Sequence, residues 1–131
     1  MKYVYPAVFT KNELGGYCVD FPDIKGCSTF GDDLPDALDA AADSLCLMLY
    51  GMEEDGLDIP EPSAMDKIDA ADGFASLISC DTLEYRKLYS NTAVKKTLSI
   101  PKWLNTIAER QDINFSSVLQ QALMQQLGIN Q

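Results

Sequence analysis

From Ala93 to Pro101 the chain runs in period two: Val94, Leu98 and Ile100 fall on one side, Lys95, Thr97 and Ser99 on the other. The pattern predicts a strand with one apolar face and one face carrying a charge and two hydroxyls, closed by Pro101. Two amphipathic helical stretches follow. Pro101 opens the first, whose inner side is Trp103 or Leu104, Ile107 and Ala108. After a turn at Gln111-Asp112-Ile113 the second runs through Phe115, Val118, Leu119, Ala122, Leu123 and Leu127, and Gly128 ends it.

A lone strand has two unpaired edges and is not stable by itself, and no neighbouring segment offers this one a partner. The economical partner is a second copy of the chain, giving a two-stranded antiparallel ribbon across a dimer axis. Such a ribbon fits the major groove of DNA, where its polar face reaches base edges. This is the ribbon-helix-helix pattern. Lys95 then contacts base edges or phosphate, and Thr97 and Ser99 contact base edges. Lys96 lies on the apolar side and reaches outward near the ribbon end. Asn114 and Ser116 sit where free backbone N–H groups open the second helix, a place suited to clamping a phosphate.

The preceding part reads differently. Tyr3 to about Thr10 is rich in aromatic and β-branched residues and predicts a strand. Lys11 to Gly16 is a turn in which Gly-Gly supplies positive φ, and Tyr17 to Phe21 is a second strand. Pro22 to Gly26 ends it, and Cys27 to Phe30 is a short third strand of an antiparallel meander. A long helix follows, with Asp33 as its N-cap and Pro35 in its first turn. Leu38, Ala41, Ala42, Leu45, Met48, Leu49 and Met52 form its apolar face, Asp36, Asp39 and Asp43 the opposite one, and it fades near Glu54-Asp55-Gly56. Leu57 to Ser63 is an extended, proline-stiffened segment, and Met65 to Gly73 is a loop. Phe74 to Asp81 is a strand that completes the sheet. Thr82 to Tyr89 fits either a further strand or a short helix, and Ser90-Asn91-Thr92 is a hinge. The domains are thus 1–90 and 93–131, with the hinge about 88–92.

Charge sharpens this division. Residues 1–90 hold six Lys or Arg against eighteen Asp or Glu, a net −12; residues 91–131 hold four against two, a net +2. The acidic part repels nucleic acid and attracts a basic protein, whereas the tail, doubled in a dimer, tolerates DNA. Cys18, Cys27, Cys46 and Cys80 form no Cys-x-x-Cys pair and the chain has no histidine, which argues against a zinc site. Cys46 and Cys80 fall in apolar runs as small core residues in a reducing compartment. No apolar run nears the roughly 20 residues that span a bilayer. Met1 to Pro6 lacks the form of a signal peptide, so the expected location is cytoplasmic.

Tyr5-Pro6-Ala7, Gly15-Gly16-Tyr17, Phe21-Pro22-Asp23, Gly26-Cys27 and Thr29-Phe30-Gly31 occur in order, followed by Ala37-Leu38, Met52-Glu53-Glu54-Asp55-Gly56 and Ile59-Pro60-Glu61-Pro62-Ser63. This series, joined to the tail, resembles the HicB antitoxin family. The resemblance implies an α+β chain: an N-terminal partial RNase H-like βββαβ domain, then a C-terminal ribbon-helix-helix that dimerises. It implies a domain that binds and blocks a HicA-type toxin, a small basic ribonuclease (mRNA interferase), and a tail that represses the toxin–antitoxin operon by binding operator DNA. It calls for no cofactor and no membrane partner, and no enzymatic activity.

Candidate toxin contacts are the acids Asp20, Asp23, Asp36, Asp39, Asp43, Glu53 and Glu54. Two other readings remain. RNase H-like enzymes hold metal ions with converging carboxylates, and Asp20 and Asp23 flank a strand end; that reading makes the chain a metal-dependent nuclease targeted to DNA by its tail. A ligand-responsive repressor is the third. Asp33 and Asp23 have capping and turn roles available instead, and without histidine there is no imidazole base for metal-free RNA cleavage.

Overall fold

Tyr3, Tyr5, Ala7 and Phe9 stand two apart along the first strand, and that spacing sets which face of the sheet is buried. The computed structural model describes residues 1–129, so the last two positions of the 93–131 tail lie outside the described residues. The chain divides into two units, Met1–Thr92 and Ala93–Gln131.

In the first unit, β1 (Lys2–Lys11), β2 (Tyr17–Asp20), β3 (Ser28–Gly31) and β4 (Phe74–Asp81) form one antiparallel sheet in the order β3-β2-β1-β4. Pro6 is tolerated inside β1 because β2 pairs only from Val8 onward, leaving β1 a ladder partner on one side at that position. The β1–β2 turn is built by Asn12, whose Oδ1 accepts from the N–H groups of Leu14 (3.0 Å) and Gly16 (2.9 Å). Only the first glycine of the Gly-Gly pair has positive φ, +88° at Gly15. Gly16 serves a different need: a Cβ there would lie 2.5 Å from the Gly31 carbonyl oxygen.

One helix, α1 (Leu34–Glu54), covers one face of the sheet. Asp33 caps it, its Oδ1 accepting from Asp36 N–H at 2.8 Å, while Asp36 Oδ2 accepts from Asp32 N–H at 2.9 Å. Ala37, Ala41, Leu45 and Leu49 are fully buried against Tyr5, Phe9, Val19, Phe21, Ile24 and Ile78. Ala42, Met48 and Met52 pack at the edge of this core, as expected of the apolar face, but Leu38 is 39% exposed. The first turn of α1 rides directly on Gly31, where a Cβ would come within 2.3 Å of Ala37 N. That contact leaves room for a methyl group at Ala37 and turns the larger Leu38 outward.

The proline-stiffened segment is tied back at two points. Tyr5 Oη donates to the Pro60 carbonyl. Asp23 accepts from Ser63 N–H at 2.9 Å and from the Ser63 hydroxyl. The following loop contains one 3-10 turn at Met65–Lys67. Thr82–Tyr89, which fits either element by pattern, is the helix α2, capped by Asp81 Oδ1 accepting from Leu83 N–H at 3.0 Å.

The second unit holds α3 (Lys102–Arg110) and α4 (Phe115–Leu127). Asp112, at φ +53°, turns the chain between them, and Gly128, at φ +72°, caps α4. Residues 91–101 form no strand in the single chain. The expected strand at Val94–Ile100 finds no ladder partner among the described residues, and an unpaired extended segment is not a strand.

Candidate functional site

The acids read as candidates from sequence divide by what they do in the fold. Glu53, near the end of α1, is half-buried and accepts three hydrogen bonds: from Tyr3 Oη (2.6 Å), Thr82 Oγ1 (3.0 Å) and Arg86 Nη2 (3.0 Å). Burial works to raise its carboxyl pKa, but the bonds from Tyr3, Arg86 and Thr82 outweigh it and leave the group below its ordinary value. Tyr3 is displaced in the opposite sense, pushed up to about 12 by burial and by its bond to Glu53. Glu54 pairs with the same Arg86 guanidinium. Asp23 holds Ser63, and Asp36 is part of the helix cap. These four carboxylates are therefore occupied inside the domain. Asp20, at the end of β2, and Asp39 and Asp43, on the outer side of α1, stand exposed. Among the described residues, no three His, Cys, Asp or Glu side chains are grouped to hold a metal ion. All four cysteines are free.

Beside α1 lies a groove of about 470 Å³, walled by Asp43, Ser44 and Leu47 of α1, Tyr85 and Tyr89 of α2, and Thr29 of β3. Tyr85 packs between two other rings, 5.2 Å from Tyr50 and 4.6 Å from Tyr89 between centroids. Burial, and then the neighbouring Tyr89, Cys46 and Asp43, raise the Tyr85 phenol and keep it neutral. The sequence carried a signal for this cluster, since Tyr85 and Tyr89 are four apart, a spacing that brings the two rings into contact only if the segment is helical.

In the tail, Lys95, Thr97 and Ser99 are exposed in the extended segment ahead of α3. Asn114 is the N-cap of α4, its Oδ1 accepting from Ser117 N–H at 3.1 Å, and Ser116 lies exposed in the first turn. Leu98 and Ile100 line one apolar groove with Phe115, Val118 and Leu119, and Lys96 borders it. Val94 (86% exposed), Leu98 (59%) and Trp103 (66%) are left uncovered by the single chain.

Residues 5–123 match the family described as the HicB-like antitoxin of bacterial toxin–antitoxin systems. The chain belongs to the HicB-like antitoxin family. It is 34% identical over 76 residues to "Antitoxin HicB 1" of Photorhabdus laumondii subsp. laumondii, an alignment covering 56% of this chain and 49% of that relative. The chain thus spans about half the length of that curated relative. The HicB-like fold is also seen in a toxin–antitoxin complex from Streptococcus pneumoniae, which is 28% identical with a TM-score of 0.62, covering 96% of this chain and 99% of that one. The antitoxin HicB of Burkholderia pseudomallei shares the fold at 22% identity and a TM-score of 0.55, covering 95% of this chain and 98% of that one. No described helix is long and apolar enough to cross a membrane.

Proposed function

We propose that this chain neutralises a HicA-type toxin ribonuclease through its acidic domain and represses its own operon through its tail. The observation that carries the reading is the family match over residues 5–123, which takes in the acidic domain and most of the tail. The charge division gives it a physical basis. A domain at net −12 presents the same sign as RNA, so it competes for the basic surface of an RNA-cleaving enzyme and associates quickly with it. The βββαβ order, with one helix covering one face of an antiparallel sheet, supports a partial RNase H-like assignment. Asp23 is engaged with Ser63, which weighs against the metal-dependent nuclease.

In the tail, the uncovered Val94, Leu98 and Trp103 support dimerisation. Pairing of residues 94–100 across a two-fold axis buries the apolar face and presents Lys95, Thr97 and Ser99 to the major groove of operator DNA. Asn114 and Ser116 then face the phosphate backbone. The two activities are separable: residues 1–92 alone bind toxin, with less avidity than the dimeric full chain. Calorimetric titration of toxin into the fragment checks this, and a folded fragment without affinity would show that the interface has been misplaced.

A further inference from the structure

The groove between α1 and α2 combines an aromatic wall with a carboxylate. Its aromatic wall, on α2, is open, with Tyr89 70% exposed. Its other wall carries the exposed carboxylate of Asp43. An apolar side chain seated there would strip water from Asp43 without compensating its charge. A phosphate would be repelled by Asp43 and by the acidic domain as a whole. A cation satisfies both walls.

The domain already holds one guanidinium in this manner. Arg86 lies 4.7 Å from the centroid of the Tyr50 ring and pairs with Glu53 and Glu54. Tyr85 continues the same aromatic row to Tyr89, whose ring, unlike that of Tyr50, has no cation of this chain placed over it among the described residues. A planar guanidinium suits such a seat better than an ammonium, because it stacks on a ring while its N–H groups reach a carboxylate.

We propose that this groove seats an arginine side chain of the basic toxin, its guanidinium stacked on Tyr89 and paired with Asp43. The proposal rests on the antitoxin reading and names the place where that partner is gripped. Other acids contribute a diffuse field; this groove contributes a specific contact and slows dissociation.

The test is titration calorimetry of the full chain with the toxin encoded beside it, comparing the wild type with Asp43→Asn, Tyr89→Ala, Tyr89→Phe and Asp58→Asn. Asp58 is exposed and outside the groove, so its loss removes the same charge without touching the seat. The expected result is roughly tenfold weaker binding for Asp43→Asn and for Tyr89→Ala. Tyr89→Phe keeps the ring face and restores most of the affinity, while Asp58→Asn changes it by less than about twofold. Thermal melts of each variant confirm folding. If the wild type binds but Asp43→Asn matches Asp58→Asn and Tyr89→Ala binds normally, the groove is not the seat and the antitoxin reading stands. If the wild type itself shows no binding, both readings fall together.

Discussion

Glu53→Gln tests whether the end of α1 is held by a partly buried charge. Glu53 is only 17% exposed, and its two oxygens divide the work. One accepts from Tyr3 and Thr82, the other from Arg86. Glutamine preserves an acceptor for the two hydroxyls but turns an amide N–H2 toward Arg86. A hydrogen bond to a charged group contributes about 1.5–3 kcal/mol, roughly twice a neutral one, so the substitution should cost about 2 kcal/mol. For a domain of this size that is a fall in Tm of about 10 °C, read by circular dichroism at pH 7. The pH dependence follows from the depressed carboxyl. A group whose folded pKa lies below its unfolded value stabilises the fold above the unfolded value, and that contribution is lost as pH falls through the folded one. The gap between wild type and variant should therefore be full at pH 7 and shrink below the ordinary carboxyl value of 4.5. At the alkaline end the sense is reversed for Tyr3: its stabilising protonated form is fully present below its ordinary value of 10.0 and is lost as pH rises through about 12. A loss under about 0.5 kcal/mol, as for an exposed pair, or a gap unchanged by acid would refute the reasoning.

Other expectations concern the core and the tail. Leu45→Ala removes a fully buried side chain between helix and sheet and should cost about 2–5 kcal/mol in urea unfolding; a loss under 1 kcal/mol would mean that α1 is loosely docked. Leu98→Glu should convert a dimer to a monomer in analytical ultracentrifugation, because it places a charge in the apolar seam of the proposed ribbon; an unchanged sedimentation coefficient would place the dimer contact elsewhere. Lys95→Ala with Thr97→Ala should weaken operator binding by at least about tenfold in a mobility-shift titration, at about 1–3 kcal/mol per lost base contact, while leaving toxin binding unchanged. Loss of both activities would show that the two parts do not act separately.

The sheet strands and both tail helices were legible in the sequence because their signals are local: β-rich runs, a cap at Asp33, a glycine stop at Gly128. Leu38 misled because a single helix's hydrophobicity does not reveal that Gly31 sits under its first turn. The acids' roles in the fold were hidden in a related way. The partners of Glu53 lie up to 50 residues away along the chain, and that of Asp23 lies 40 away, so neither bond leaves a local trace. Thr82–Tyr89 has a residue pattern compatible with either element, and tertiary packing against α1 decides it. With the helix undecided, the Tyr85–Tyr89 ring contact stayed hidden. The tail strand is the converse case: period two predicts it, but residues 91–101 form no strand here, because alternation of side chains does not by itself supply a ladder partner.

The most direct test of the central claim is co-expression of this chain with the neighbouring toxin, followed by an RNA-cleavage assay on the toxin alone and on the purified complex. Cleavage by the free toxin that is abolished at a stoichiometric amount of this chain, with DNA binding still detectable in the complex or the free dimer, is the predicted result. Undiminished cleavage at saturating chain, or magnesium-dependent cleavage by this chain alone, would contradict it.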